Sequence, residues 1–518
     1  MSNYDVAIVG YGPTGVTAAN LLGARGLRVV VVERDATIYT RARAISTDEE
    51  ILRIWQQVGL ADALERDMLA DRPISFVDGE GRPFLGAEFC RAGHGYPAQL
   101  FIYQPALEQT LREGVARFPN VERLLAHECL RAKQDNDGVE LLLTDGENLQ
   151  RVRASWVIAA DGGSSSTRGQ LGIGFDGRTF ETRWVVIDTE VLKEWPGHDH
   201  LRFHCDPRRP AVDCPTPLGH HRWEFPVLPG EDPQDLVTDS AVWRLLANHG
   251  ITGDQVRILR AVVYHHHVRI AARWRAGRVF LAGDAAHAMP PWIGQGMAAG
   301  VRDVANLCWK LTSVVRGDLP EAVLDSYEAE RKPHVREVTR RAVLVGRVIT
   351  EHRPAITRAR DVLCRLVERL PAVHRLLVKQ CWVPETRYRR GFLGAPSRAV
   401  GRKIPQPRVL DADGVRRRLD DVTAGHWTVL STRTDPPAAA WAAAGARRIT
   451  VLPTGERARP GCVVDSDGML TAWLRTHRAD VLALRPDNIV YTAARAGGSL
   501  APPPAGLRPA TDPARSNP

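Results

Sequence analysis

The hydrophobic positions near the amino terminus predict two buried strands joined by a helix. Residues 5–10, DVAIVG, form a short apolar run that ends in glycine, which is typical of a buried parallel strand. A helical pattern follows through Ala18, Leu21 and Leu22, and a second apolar run, LRVVVVE, ends at Glu33. This order predicts a strand–helix–strand unit, the opening of an α/β fold.

Later patterns divide the rest of the chain. Segments 73–103 and 183–268 carry alternating strands and no long helix, which predicts a sheet-rich domain inserted into the first one. Helical patterns begin at Ala298 and recur to about residue 392, and short strands such as HWTVLST then predict a third domain. The predicted organisation is a first domain over residues 1–72, 104–182 and 269–333, an inserted β-sheet domain over 73–103 and 183–268, a helical segment over 334–400, a third domain over 401–500, and a proline-rich, disordered tail over 501–518.

Composition narrows the class of protein. The 518 residues carry a net charge of +9, but arginine is spread along the chain without long basic blocks, which argues against a nucleic-acid-binding protein. The eight cysteines form no CxxC pair, so neither a disulfide framework nor a zinc scaffold is expected. No apolar run approaches the roughly 20 residues that span a membrane, and the polar start MSNYD is no signal peptide, so we expect a cytoplasmic protein.

A glycine motif lies between the first strand and the first helix. Gly10, Gly12 and Gly15 spell G-x-G-x-x-G, which permits a tight turn, close approach of a pyrophosphate and packing of the helix on the strand. Glu33, at the end of the second strand, is placed to accept hydrogen bonds from a ribose hydroxyl. The motif predicts dinucleotide binding, but it does not separate NAD from FAD.

The ends of two later strands indicate FAD rather than NAD. VIAADGGSSSTR ends a strand at Asp161 and Gly162, and RVFLAGDAAH ends another at Gly283 and Asp284. With these motifs in this order the chain resembles the FAD-dependent aromatic hydroxylases, which are single-component flavoprotein monooxygenases. The stretches RARAISTDEEILRIWQQVGL, FIYQPALEQTLREG, CDPRRP, RWEFPVLPGE and GQGMAAGVRDVANLCWKL are similar to the branch that hydroxylates 3-(3-hydroxyphenyl)propionate and 3-hydroxycinnamate, and the resemblance covers about residues 4–392.

The resemblance implies an architecture. It is a Rossmann-like FAD-binding domain with an inserted mixed β-sheet substrate domain, a helical segment and a C-terminal thioredoxin-like domain. The third domain has no CxxC and only Cys462, so a dithiol function is not expected there. Its expected role is packing or oligomerisation, and the oligomeric state stays open.

The resemblance also implies ligands for FAD. Asp284 is similar to the acid that bonds the ribityl chain, Arg43 to an arginine that pairs with the phosphates, and Gln104 to a glutamine along the ribityl chain or ring edge. Asp161 and Gly162 match a motif that serves both flavin and nicotinamide. The other positions expected to contact the cofactor are Gly10, Gly12, Pro13, Thr14, Gly15, Glu33, Arg34, Gly283, Pro290 and Met297.

The stretch PPWIGQGMAAG is expected to contact the flavin ring. Gly294, Gln295 and Gly296 come just before a predicted helix, where free backbone N–H groups point outward. Such a helix end contributes roughly half a positive charge, which stabilises the negative charge that a reduced flavin carries. Pro290 and Pro291 stiffen the preceding loop, and Pro291 with these three residues is assigned to the catalytic loop.

The implied reaction is ring hydroxylation. NADH or NADPH reduces FAD, and O2 then forms a flavin C4a-hydroperoxide that hydroxylates a phenol at its ortho position. The predicted substrate is 3-(3-hydroxyphenyl)propionate or 3-hydroxycinnamate, converted to the 2,3-dihydroxy product, without a nucleic-acid or membrane partner. Two alternatives stay open: a hydroxylase of the same fold that acts on a polycyclic natural product, and a non-catalytic nucleotide-binding protein.

Residues that bind the substrate are the least defined prediction. Arg202, His204, Arg222 and Trp223 lie in the inserted sheet domain and are candidates, with an arginine available for a propionate carboxylate. His265, in VVYHHHVRI, is a further candidate for proton relay or substrate contact. No third spaced ligand accompanies these histidines, so a metal site is not expected.

Overall fold

The computed structural model describes residues 3–38, 43–87, 90–370, 383–433, 438–495 and 497–507. Most of the predicted disordered tail, residues 508–518, and residues 371–382 of the predicted helical segment lie outside these ranges. The described part of the tail forms a turn, and the carbonyl of Ala501 accepts a hydrogen bond from the indole of Trp441 at 2.9 Å. No helix within the described ranges combines the length and the apolar character needed to cross a membrane.

Strands and helices alternate along much of the chain. The strands are β1 (Asn3–Val9), β2 (Val29–Glu33), β3 (Ser46–Asp48), β4 (Leu69–Ala70), β5 (Ile74–Val77), β6 (Pro83–Ala87), β7 (Gln99–Phe101), β8 (Val121–Leu125), β9 (Glu128–Gln134), β10 (Val139–Thr144), β11 (Leu149–Ala159), β12 (Phe175–Val191), β13 (Leu201–His204), β14 (Ala211–Thr216), β15 (His220–Pro226), β16 (Val256–Ala271), β17 (Arg275–Ala276), β18 (Val279–Leu281), β19 (His287–Ala288), β20 (Arg408–Leu410), β21 (Arg416–Arg418), β22 (Thr428–Ser431), β23 (Arg447–Leu452), β24 (Cys462–Asp465), β25 (Val481–Leu484) and β26 (Val490–Ala494). The helices are α1 (Pro13–Gly23), α2 (Glu49–Gln56), α3 (Ala61–Glu65), α4 (Gln104–Ala116), α5 (Ser166–Gln170), α6 (Asp239–Ala247), α7 (Gly296–Val315), α8 (Ser326–Ile349), α9 (Pro354–Glu368), α10 (Leu419–Thr423), α11 (Ala439–Ala443) and α12 (Met469–His477).

The first sheet has the order β17-β18-β11-β1-β2-β8, with β9 and β10 beside β11. Strands β18, β11, β1, β2 and β8 run parallel, so their carboxyl ends meet at one edge. Val29–Val32 of β2 are buried as the apolar run predicts, and α1 begins at Pro13, where proline suits the first helical position. The predicted strand–helix–strand opening and α/β class are confirmed.

The second sheet has the order β19-β16-β12-β15-β14-β13-β5-β6. Its centre is the antiparallel pair of the long strands β12 and β16, which run from the edge of the first sheet deep into the second. One helix, α6, interrupts the strands, in agreement with the expected absence of a long helix. Strand β12 begins at Phe175, inside the segment predicted for the first domain, so the second sheet grows directly out of it.

Helices α7 and α8 lie behind the first sheet, and the third domain follows them. Its sheet has the order β21-β20-β24-β23-β22-β25-β26, in which β22, β23 and β24 are parallel and β25 and β26 are antiparallel. The thioredoxin-like assignment of this domain stays a prediction.

Buried ion pairs join the third domain to the first. Arg53 of α2 donates to both carboxylate oxygens of Asp420 at 2.7 Å. Lys403 donates to Glu50 at 2.8 Å, and Arg485 donates to Glu330 of α8 at 2.8 Å. We call these three pairs the domain seam. Helix α2 contacts α7, and α8 contacts the loop that precedes α7. The domain seam therefore connects the third domain to the two helices that support α7 and its preceding loop.

Candidate active site

One large cavity lies between the carboxyl edge of the first sheet and one face of the second. Its volume is about 980 Å³, at the upper end of the range of about 300–1,000 Å³ for small-molecule sites. It brings together residues from the glycine motif, from the strand ends at Asp161 and Asp284, and from the flavin-ring loop. Those lining residues include Gly12, Pro13, Thr14, Arg34, Arg43, Gln104, Asp161, Gly162, Arg222, His265, Asp284, Pro291, Gly294, Gly296 and Met297.

The glycine motif forms the mouth of the cavity. Gly10 has a φ of +99°, and a Cβ there would collide with the carbonyl of Ala160. A Cβ on Gly15 would collide with the carbonyl of Gly10, so both glycines are required for the turn and for helix packing. A Cβ on Gly12 would meet nothing within 4 Å. The space before α1 is therefore open, and the first N–H groups of the helix face it without a side-chain cap.

Acidic groups lie around this mouth. Glu33 does not line the cavity; its carboxylate accepts from the backbone N–H groups of Tyr11 at 2.6 Å and Asp35 at 3.0 Å, which shapes the turn. Asp161 accepts from the N–H of Thr167 through one oxygen, while its other oxygen is buried and has no partner in the described structure. An unsatisfied acceptor beside an open helix terminus fits a ligand that carries hydroxyl groups, as a dinucleotide does.

Asp284 and Gln104 differ in how they meet the cavity. Asp284 is exposed to it and accepts no hydrogen bond from the described residues. A Cβ on Gly283, just before it, would lie 2.6 Å from the Thr14 hydroxyl, so glycine lets this turn approach α1. The side-chain carbonyl of Gln104 instead accepts from the backbone N–H groups of Arg43 at 2.7 Å and Ala44 at 2.8 Å, so it holds the loop that contains Arg43.

The predicted flavin-ring loop forms the next part of the wall. A short 3-10 helix, Pro291–Ile293, ends at Gly294, whose φ of +64° and closeness to the Ser46 hydroxyl exclude a side chain. Helix α7 then begins at Gly296, where a Cβ would meet nothing within 4 Å. Gly296 and Met297 line the cavity, so the first turn of α7, whose N–H groups have no partner within the helix, lies at the cavity wall.

Gln295 turns away from that space. Its side chain is buried and donates to Asp48 at 3.1 Å, and it accepts from Arg302 at 2.9 Å. Gln295 therefore fixes the loop by its side chain and is not among the described residues that line the cavity. Pro290 is likewise buried and is not among the described residues that line the cavity.

The inner wall is one face of the second sheet. Because paired residues of antiparallel strands share a face, Arg260, Asp188 and Arg222 form one row across β16, β12 and β15. Asp188 accepts from Arg222 at 2.7 Å and from Arg260, and Arg222 also donates to the carbonyl of Arg43 at 3.1 Å. The next row consists of Val262, Val186, Glu224, Val212 and Phe203.

The deeper part of the cavity is apolar. Its lining side chains include Ile45, Ile74, Phe101, Leu201, Phe203, Val186, Val212, Trp292 and Ile293. Trp292 meets Trp184 of β12 edge to face with ring centres 4.9 Å apart, which fixes the indole at the end of the flavin-ring loop. This chamber suits an aromatic ring, held between the loop and the sheet.

Three of the four predicted substrate residues point away from the cavity. Arg202 and His204 lie on the opposite face of β13 and both donate to the buried Asp213, at 3.0 Å and 2.6 Å. Trp223 is fully buried on the opposite face of β15, among the side chains of a separate hydrophobic cluster. Of the four, Arg222 lines the cavity, since successive residues of a strand alternate between faces.

His265 lies at the rim. It lines the cavity together with His267 and Arg269, and the two imidazole rings are stacked with centres 6.3 Å apart. Burial lowers the pKa of His267, and the neighbouring charges of Arg269 and His265 lower it further. Because a lowered pKa favours the neutral imidazole of His267, the guanidinium of Arg269 is the group that makes this rim cationic.

Sequence reasoning missed most of the apolar chamber and Glu224. The chamber side chains come from five strands and two loops far apart in sequence, which no local pattern connects. Glu224 was detectable, because it lies two residues beyond Arg222 on one strand and therefore shares its face.

Comparisons with known proteins support this geometry. A family model described as an FAD binding domain matches residues 3–342, and one described as the HcaD C-terminal domain matches residues 401–501. A 3-(3-hydroxy-phenyl)propionate/3-hydroxycinnamic acid hydroxylase of Burkholderia cenocepacia is 36% identical over 95% of this chain and 94% of its own length. A hydroxylase of the same name from Comamonas testosteroni is 32% identical over 95% of this chain and 94% of its own.

Solved structures share the fold. The flavin-dependent monooxygenase PieE, crystallised with FAD and substrate, superposes with a TM-score of 0.79 at 24% identity over 95% of this chain and 96% of its own. The anhydrotetracycline hydroxylase OxyS of Streptomyces rimosus has a TM-score of 0.74 at 26% identity over 96% of both chains. The match to an FAD-binding hydroxylase family over most of the chain removes the alternative of a non-catalytic nucleotide-binding protein. The chain belongs to the FAD-dependent aromatic hydroxylases, a family of flavoprotein monooxygenases.

Proposed function

We propose that this FAD-dependent monooxygenase uses NADH or NADPH and O2 to hydroxylate 3-(3-hydroxyphenyl)propionate or 3-hydroxycinnamate ortho to the phenol hydroxyl. The product is the 2,3-dihydroxy compound. Curated relatives with the name of this activity match 95% of the chain. The observation that carries the proposal is the cavity in which a dinucleotide mouth, a bare helix start and an apolar chamber follow one another.

In this proposal the cavity would hold FAD. The open N–H groups before α1 would hold its pyrophosphate, and Asp284 would accept a hydrogen bond from its ribityl chain. The helix start at Gly296 and Met297 would hold the ring, where the partial positive charge of α7 would stabilise negative charge. When bound, FAD supplies electron transfer from the nicotinamide cofactor to O2 for insertion into the substrate ring.

The side chains of the chamber position the substrate ring and keep water away from it. The chamber around Phe203, Val186 and Trp292 excludes water from the reacting ring and holds it against the loop. Arg222, paired with Asp188, closes the chamber beside the Arg43 loop rather than offering a free charge. The guanidinium of Arg269 at the cationic rim is available to an anionic substrate as it enters.

Substrate-dependent NAD(P)H oxidation over a panel of phenols tests the proposal, with mass spectrometry of the product. We expect strong stimulation by 3-(3-hydroxyphenyl)propionate and a product heavier by one oxygen atom. If neither named substrate stimulates NAD(P)H oxidation, the assignment is removed.

A second candidate substrate is a polycyclic phenol. The 26% identity to the anhydrotetracycline hydroxylase OxyS and the large cavity favour including it in the panel. Turnover of a polycyclic phenol without turnover of the hydroxyphenylpropionate would select it.

A further inference from the structure

Glu224 is the unusual member of its row. It lies on β15 between Val186 and Val212, with Val262 and Phe203 farther along the same row, so its neighbours across the sheet are apolar. It lines the cavity and is half-buried. Its carboxylate makes no hydrogen bond or ion pair with any residue in the described ranges. A carboxylate that borders the cavity among apolar side chains is placed to accept a hydrogen bond from a bound ligand.

The nearest cation does not serve as that partner. Arg222, two residues earlier on the same face, donates through Nε and Nη2 to Asp188 and through Nη1 to the carbonyl of Arg43. Arg260 also donates to Asp188 from the far side of the row. Arg222 and Arg260 thus share Asp188 as their acceptor, and Glu224 is not part of this ion-pair group.

The charges that face Glu224 are few. Burial raises the pKa of Glu224, the guanidinium of Arg222 opposes that rise, and the carboxylate of Asp188 adds to it. Its strand neighbours Val186 and Val212 carry no charge. A second anion, such as a substrate carboxylate, would be repelled from this enclosed position, whereas a neutral hydroxyl group would be attracted.

We propose that Glu224 accepts a hydrogen bond from the hydroxyl group of the phenolic substrate and so sets which end of the substrate enters the chamber first. The inference rests on the proposed function and adds to it an orientation: the hydroxyl end points to the sheet wall, and the carboxylate end points toward the cationic rim. Glu224 is then a specificity-determining residue for hydroxylated rings.

The test compares two ligands on the FAD-loaded enzyme. Titration of 3-(3-hydroxyphenyl)propionate and of 3-phenylpropionate, followed by the change in flavin absorbance, gives two dissociation constants and their ratio. Glu224→Leu continues the apolar row, so the variant is expected to fold. A hydrogen bond to a charged group corresponds to a loss of about 10- to 100-fold in the preference for the hydroxylated ligand.

Further variants separate binding from a general defect. Glu224→Gln keeps an acceptor oxygen and should retain part of the preference. Glu190→Gln, on β12 of the same sheet but paired with Arg257 outside the cavity, should retain all of it. Weaker binding of both ligands by the same factor in Glu224→Leu, or an unchanged preference, would overturn the inference.

The outcome is distinguishable from failure of the proposed function. If the wild-type enzyme is not stimulated by either named phenol, the proposed function fails, and this inference falls with it. If the wild type hydroxylates the phenol and Glu224→Leu keeps the full preference for the hydroxylated ligand, only this inference fails.

Discussion

Two glutamates of this protein, Glu330 in the domain seam and Glu224 in the cavity wall, show opposite treatments of an enclosed carboxyl group. Glu330 is fully buried and accepts from Asn306, Lys310, Arg485 and the N–H of Phe392. Glu224 accepts from no described residue. Glu330 is satisfied by partners from both domains and so joins them. Glu224 has no such partner and borders the cavity, which leaves its carboxylate accessible to a ligand.

The pKa values follow the same contrast. Burial by itself would raise the pKa of Glu330, but the charges of Arg485 and Lys310 outweigh it and lower that pKa to about 2. Burial raises the pKa of Glu224, the charge of Arg222 opposes that rise without cancelling it, and the charge of Asp188 adds to it. The partners, more than the depth of burial, determine the charge state of each carboxyl group.

The largest effect is expected from breaking the seam. Arg485→Met leaves Glu330 with one cationic partner in a dry interface, and removal of one partner of a buried pair typically costs about 3–5 kcal/mol. Chemical denaturation should show that loss in the free energy of unfolding. Arg416→Met, which removes an exposed pair with Asp467 in the same domain, is the matched control and should change it far less. Equal effects of the two variants would show that the seam is not a stabilising network.

The seam also predicts a pH dependence. The pKa of Glu330 is about 2 in the folded protein and about 4.3 in an unfolded chain. Because the folded-state value is lower, the ionised carboxylate stabilises the fold above the unfolded value, and the contribution of about 3 kcal/mol disappears as the pH falls from about 4.3 to 2.

Denaturation of wild type and Glu330→Gln at a series of pH values checks this. The difference in unfolding free energy between them should shrink through that window. A difference that stays constant from neutral pH to about pH 2 would contradict the lowered pKa.

A smaller, ligand-specific effect is expected at Asp284. Its carboxylate has no partner among the described residues, so Asp284→Ala should leave the apoprotein as stable as the wild type. Loss of a hydrogen bond from a charged acceptor should weaken FAD binding by about 10- to 100-fold. Fluorescence titration of FAD measures this, and an unchanged affinity would refute the assignment of Asp284 to the ribityl chain.

Substitutions at two glycines of the flavin-ring loop are expected to have effects of different kinds. Gly296→Val places a side chain into open cavity space without backbone strain, so we expect normal folding with slower or uncoupled turnover, by about tenfold. Gly294→Val forces a left-handed residue against Ser46 and should destabilise the protein itself. Thermal unfolding together with the ratio of product formed to NAD(P)H consumed separates the two. Identical coupling in Gly296→Val and wild type would place the ring elsewhere.

Much of this fold could be predicted from local sequence patterns. The run DVAIVG and the spacing of Gly10, Gly12 and Gly15 determine a strand, a turn and a helix start within one short stretch, and the structure has them there. Gly283 and Asp284 follow a strand for the same local reason. Such elements depend on neighbours in the chain, which a sequence displays directly.

The substrate chamber could not be predicted in this way. Arg202 and Trp223 lie in the inserted sheet, but side chains alternate between the two faces of a strand, and both residues point away from the cavity. Trp223 packs against α6, and Arg202 pairs with Asp213. Which face of a sheet borders the cavity is decided by the pairing of β12 with β15 and β16, a long-range property. Strand alternation puts Glu224 on the same face as Arg222, but only the strand pairing shows that this face borders the cavity.

We propose that FAD would bind in this cavity, with its ring between the start of α7 and the wall that carries Glu224. A crystal structure of the protein with FAD and 3-(3-hydroxyphenyl)propionate tests it most directly. We predict the ring within hydrogen-bond distance of the backbone N–H groups at Gly296 and Met297, and the phenol hydroxyl at Glu224. A flavin ring bound away from the start of α7 would contradict this placement of the cofactor.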